Sequence, residues 1–213
     1  MEGPHAPGLE ISRTAYRVED DNALRDPPAA GATEIMHPPM LIDGQTVTFD
    51  HLAPITRKVR IELQGNMQTT VEVRFLFSCH CYSRGLVPGE SAKLGHEVPD
   101  GSVHNPRPRE FDAERYMLSH RLVALIDQLI TLNGHVSKTT RTDRENFYRT
   151  DQVETQRDGT HRLVSYFIFF HATKMQEPER PRYLKVFVES AYPEQDHIPH
   201  PVGRGGKSFA AML

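Results

Sequence analysis

The run LVSYFIFFHA at 163–172 constrains this chain more than any other segment. Its apolar residues fall on both faces of an extended strand, a pattern tolerated only where the strand is covered above and below. The chain therefore needs a sheet with a layer on each side. YLKVFVESAY at 183–192 sets Leu184, Val186 and Val188 against Lys185 and Glu189, the alternation of a half-buried strand. Two hairpins precede these strands. In MLIDGQTVTFD, Asp43-Gly44 suits a type I′ turn between two β-prone runs. Further on, Val59, Ile61 and Leu63 alternate with charges, Gly65-Asn66 turns the chain, and Val71, Val73, Phe75 and Phe77 resume the alternation. Continued outward, that alternation places Cys79 and Cys81 on one face and Arg74, Ser78 and His80 on the other.

A helix is expected over 111–134, FDAERYMLSHRLVALIDQLITLNG. Asp112 is its N-cap, and Phe111 with Tyr116 forms a hydrophobic staple. Leu118, Leu122, Leu125, Ile126 and Leu129 share one face, His120 lies opposite, and Asn133-Gly134 is the stop. The expected fold class is α+β, an antiparallel β-sheet of about five to six strands packed against one long α-helix, with flexible N- and C-terminal tails. Residues 1–36 form a flexible arm whose Pro, Gly and Ala content leaves little to bury, and residues 1–40 carry seven acids against three arginines. Residues 37–195 form a single α+β domain, 85–108 a long loop, and 196–213 a flexible tail.

Composition removes several function classes. No run of about 18 apolar residues is present, so no transmembrane helix is expected. The N-terminus shows no basic-then-apolar leader, and two cysteines one residue apart exclude a disulfide framework. A reducing, cytoplasmic setting fits that usage.

Three groups of residues carry chemistry. Ser-Cys-His-Cys-Tyr-Ser-Arg at 78–84 holds soft metal ligands, so zinc on Cys79 and Cys81 with His96 or His104 is an alternative to two small buried thiols. GRGGK at 203–207 lacks the GxxxxGK[ST] spacing, because position 201 is Pro, and reads as a basic tail.

The third group is a set of histidines and arginines within a chain of 12 His. His120 and Arg115 lie on the helix with Arg121, followed by His135, Lys138, Arg141, Arg144 and Arg149. His171 ends the apolar strand, and Arg182, Lys185, Ser190 and Tyr192 belong to the last hairpin. Metal-independent RNA cleavage needs such a kit: an imidazole base, cations on the phosphorane and an acid for the leaving oxygen. His titrates near neutrality and Arg grips phosphate in a bidentate way.

One helix followed by strands ending in KVFVESAYP resembles the small nuclease toxins of the barnase–EndoU–colicin–RelE type. The resemblance covers roughly residues 111–193, with most weight on 183–193. It implies a growth-inhibiting, RNA-cleaving activity without cofactor. His120 or His135 would be the base, Lys185 and Ser190 would lie near the phosphate, and Arg115, Arg121, Arg141, Arg182 and Tyr192 would bind substrate. RNA would then be the partner. A non-enzymatic module docking a protein through the arm and the 85–108 loop is the alternative.

Overall fold

The computed structural model describes residues 18–19, 37–62, 67–100, 107–139, 146–155, 159–178, 181–194 and 201–213. The acidic arm lies outside these residues except for strand β1 (Val18–Glu19). Strands β2 (Met40–Ile42) and β3 (Gln45–Val47) form the expected hairpin, with Asp43 at φ 49° and Gly44 at φ 80°, the two positive values that a type I′ turn requires. Strands β4 (Ile55–Glu62) and β5 (Gln68–Phe77) pair antiparallel, and the Gly65-Asn66 turn lies outside the described residues.

Strands β6 (Ser83–Gly85), β7 (Glu97–Val98) and β8 (Arg109–Phe111) form a small three-stranded sheet, to which the segment expected to be one loop contributes β7 while β6 and β8 flank that segment. Helices α1 (Ala113–Ser119) and α2 (Leu122–Thr131) follow. The remaining strands are β9 (His135–Thr139), β10 (Asn146–Thr155), β11 (His161–Met175), β12 (Tyr183–Pro193) and β13 (Gly203–Ser208). Among the described residues, eight strands form the main sheet, in the order β1-β4-β5-β12-β11-β10-β9-β13.

This architecture corrects the expected five- to six-stranded antiparallel sheet on one long helix. The sheet is larger and mixed, because β5 and β12 pair in parallel from Tyr183 opposite Glu72 to Val188 opposite Phe77. The helix is two short helices. Ser119 is fully buried and its Oγ donates to the Tyr116 carbonyl at 2.7 Å, a back-bond that bends helices, and the turn tightens to an Arg121 N–H bond on Leu118 O at 3.0 Å. The Asp112 cap is present, its carboxylate accepting from Arg115 N at 3.0 Å.

The expected loose tail is also corrected. Strand β13 pairs with β9, and the 3-10 turn Phe209–Met212 sinks Phe209 and Met212 into the core, with Phe209 stacked on Phe75. The GRGGK segment is therefore the outermost strand, with a bulge where Gly205 takes φ 56°.

The main core lies on the sheet face that meets α2. It gathers Val73, Phe75 and Phe77 of β5, Leu184, Val186 and Val188 of β12, and Tyr166, Ile168 and Phe170 of β11 against Leu122, Leu125, Ile126 and Leu129. Alternation turns Phe167 and Phe169 to the opposite, outer face, where they cluster with Phe147 and Tyr192. Residues 164–170 are all buried, as their double-sided apolarity requires.

Candidate functional site

The best-built polar cluster lies where β5 and β12 finish their parallel pairing. Ser78 N donates to Val188 O at 2.9 Å, and the chain then turns into a 3-10 helix over Cys79–Cys81 rather than continuing as a strand. Ser78 causes the turn. Its Oγ accepts from His80 N at 2.9 Å and donates to Glu189 O at 2.5 Å, and Ser83 Oγ donates to Cys79 O at 2.7 Å. Side chains on a 3-10 turn point in three directions, so Cys79 and Cys81 do not share a face. Cys81 enters the core, where burial pushes its thiol up to about 12. Cys79, 6% exposed, borders the same core, and its Sγ lies 3.5 Å from the Asp100 carbonyl.

His80 Nε2 and Asp100 Oδ1 are 2.6 Å apart, and Asp100 Oδ2 accepts from Arg107 N at 2.9 Å. Burial dominates at His80 and holds its imidazole below the ordinary value against the pull of Asp100. At Asp100 burial works upward, but the bonds from His80 and Arg107 N and the nearby Arg109 charge outweigh it, so the carboxyl sits below its ordinary value. The neutral imidazole then donates Nε2–H to the carboxylate, the tautomer this network assigns. Burial raises the Cys79 thiol, with the Arg109 charge opposing.

A second imidazole–carboxylate pair stands alongside. The β11–β12 register shifts between Phe169 and Phe170, opposite Ser190 and Val188, which leaves Glu189 as the extra residue of a bulge. Bulging turns its carboxylate to His171 Nε2 at 2.9 Å, and that bond holds Glu189 below the ordinary carboxylate value. Glu189 also biases His80 electrostatically.

Two guanidinium groups complete the cluster. Arg109, 8% exposed, donates from Nε to Ser83 Oγ and from Nη2 to Ser83 O, each at 2.8 Å, and pairs with no carboxylate among the described residues. Arg115 donates from Nη1 to the carbonyls of His80 and Ser83 at 3.3 and 3.2 Å and lies 5.3 Å from the Tyr192 ring centre. Its other side-chain nitrogens meet no described acceptor.

The structure distributes the sequence candidates unevenly. Arg115 and Tyr192 come together in this cluster, and Ser190 lies next to the bulge. Lys185 sits further along β12, in register with Arg74. His120 lies at the α1–α2 junction, stacked on His51 at 3.6 Å, with Arg121 beside it in the chain. His135 opens β9 near the far edge of the sheet. Arg182 donates to Gln176 Oε1 at 2.8 Å. Arg141 lies outside the described residues. The expected kit of His120, His135, Lys185 and Ser190 thus occupies separate regions.

The zinc alternative changes membership. His96 lies 3.2 Å from Asp43, away from Cys79, and Cys81 is in the core. Cys79, His80 and Asp100 instead bring one potential donor atom each within 4.8 Å of one another, the only such group among the described residues. Asp100 and Arg109 were not singled out from sequence. The signal available was a Cys-His pair followed by one acid inside a Gly- and Pro-rich segment.

Fold and cluster together define a β-rich protein with a Cys–His–Asp group at the end of a parallel strand pair. The chain belongs to the YjaZ family, whose model matches residues 39–213. No curated protein and no solved structure matches it. No helix among the described residues is long and apolar enough to cross a membrane.

Proposed function

We propose that this protein is a metal-dependent hydrolase acting on an anionic ester, with a phosphodiester such as RNA as the substrate class, and that Cys79, His80 and Asp100 hold one zinc-class cation. The convergence of those three donors within 4.8 Å carries the reading. Their chemistry fits: sulfur, imidazole nitrogen and carboxylate oxygen are the zinc donor set, and three protein ligands are the number used at catalytic rather than structural sites. Donors about 3.3–3.8 Å apart satisfy a tetrahedral ion with bonds of about 2.0–2.3 Å, so His80 would give up the proton it shares with Asp100, from which it stands 2.6 Å, and the two would draw apart to ligate together. Binding takes the Cys79 thiol as thiolate.

Such a cation supplies Lewis-acid polarisation of a phosphoryl oxygen. The chain's own residues do the rest. Glu189, kept ionised by His171, would accept the proton of the attacking water as its oxygen bonds to phosphorus; the P–O bond to the leaving alcohol breaks, that proton passes to the leaving oxygen, and Arg115 offers its unengaged nitrogens to the substrate's negative charge. Zinc-loaded full-length protein is expected to cleave RNA or an activated phosphodiester, to lose activity with a chelator, and to lose about 10²–10⁴-fold in Glu189→Gln while keeping its metal. Chelator-insensitive cleavage, no cleavage, or an unaffected Glu189→Gln would each contradict the proposal.

A further inference from the structure

Toward the β9–β13 edge the outer face carries a groove of about 570 Å3. Val136 and Tyr148 point into the core, so alternation directs His135 and Ser137 of β9 and Phe147 and Arg149 of β10 to the outer face. All four line the groove with Phe167, Pro201 and Gly203.

The composition of β13 lets the groove's own side chains lie against it. A Cβ at Gly206 would fall 1.8 Å from His135 Nε2, and one at Gly203 would fall 2.9 Å from Ser137 Cβ and 3.3 Å from Phe147 Cζ. Only glycine lets this strand pair with β9 while the imidazole and hydroxyl lie across it. The glycines of the GRGGK motif are therefore covered by His135, Ser137 and the edge of Phe147, which they hold at the groove wall.

Arg149 is built to face the groove. Ser165 Oγ accepts from its Nε and Nη2 at 3.1 and 2.9 Å and donates to Asp151 Oδ1 at 2.9 Å. That clasp fixes one edge of the guanidinium, and Nη1 meets no described acceptor. Asp151 stands 3.6 Å away, on the clasped side. The side chain is 58% exposed, so its charge is available to a ligand.

We infer that this groove binds a nucleotide unit, its phosphate taken by Arg149 with His135 and Ser137 and its ring laid against the groove-facing edges of Phe147 and Phe167. A held guanidinium, an imidazole and a hydroxyl are phosphate donors, and an aromatic wall accepts any base. The volume lies within the range of about 300–1,000 Å3 for small-ligand clefts. A free mononucleotide and a residue of single-stranded RNA present this same chemistry. The inference needs neither Cys79 nor a cation, so it stands or falls apart from the hydrolase reading.

Titration of the full chain in the presence of chelator, by calorimetry or amide chemical shifts, tests it with AMP, adenosine, inorganic phosphate and a short oligouridylate. AMP is expected to bind and to shift β9 and β10 amides, with adenosine and phosphate each at least tenfold weaker. Arg149→Gln and His135→Gln are expected to weaken AMP at least tenfold while leaving the melting temperature within a few degrees. Tighter oligouridylate than AMP identifies a strand as the natural ligand, and the reverse identifies a free nucleotide. Either result supports the site. No binding of AMP or oligouridylate at millimolar concentration, equal binding of phosphate and AMP, or affinity unchanged in both variants would overturn it.

Discussion

Lowering the pH from 7.5 to 5 is expected to destabilise this protein through histidines held neutral, with His51 the largest single contributor. Its ring stacks on His120 at 3.6 Å and its Nε2 lies 2.7 Å from Ser119 Oγ. Burial first, then the neighbouring His120 charge, lowers the imidazole to about 4 against 6.5, with Asp50 pulling the other way. Because the folded value is the lower one, the unfolded chain takes the proton first. The stabilisation is therefore complete above pH 6.5 and is lost as pH falls toward 4. For His51 the ceiling by pH 5 is about 2 kcal/mol, and solvent screening of the part-exposed ring brings it to about 1 kcal/mol. His37 and His80, both lowered chiefly by burial, act in the same direction. Carboxylates held low by their partners, such as Asp100 and Glu189, release their contribution only below their unfolded values of about 4, so the window between 6.5 and 5 belongs to the histidines. Urea unfolding at pH 7.5, 6.5, 5.5 and 5.0 measures the slope in the wild type and in His51→Gln. A shallower slope in the variant is expected. A flat wild-type profile, or identical slopes, would refute the reasoning.

Other consequences concern the fold. Phe209→Ala removes a side chain that is 1% exposed and stacked on Phe75, and is expected to cost about 3–5 kcal/mol in urea unfolding. Gly206→Ala forces a Cβ into the His135 ring and is expected to cost about 1–3 kcal/mol, with hydrogen exchange accelerated in β9 and β13. Asp127→Asn weakens the two-point bond from Arg57 Nε and Nη2, at 2.7 and 3.1 Å, that ties α2 to β4, and is expected to cost about 1 kcal/mol.

Local signals in the sequence translated well where one interaction decides the conformation. Asp43-Gly44 turns because both residues tolerate positive φ, and Asp112 caps because its carboxylate reaches Arg115 N. The double-sided apolarity of 163–172 likewise leaves a central strand as the one place for it. Signals set by distant partners did not show. Ser119 breaks the helix through back-bonding to Tyr116 O, a contact that leucine spacing does not register. β9 and β13 are polar or glycine-rich, and exist because their backbones pair at the edge of a sheet already formed.

The candidate cluster was partly legible for the same reason. Cys79 drew notice by residue type, but the strand pattern placed Cys81 beside it and His80 opposite. The Ser78 cap, bonded to Glu189 O across 111 residues of sequence, overrides that pattern and turns His80 toward Asp100. No periodicity carries such a contact. The His120–His135–Lys185–Ser190 grouping followed from residue chemistry alone, and the strand order separates its members.

The cation site is tested most directly by cobalt(II) titration of the full chain followed by absorption. Saturation at one equivalent is expected, with a near-ultraviolet thiolate-to-cobalt band that is absent in Cys79→Ser and present in Cys81→Ala. An absent band, or one that persists unchanged in Cys79→Ser, would contradict the Cys79–His80–Asp100 site.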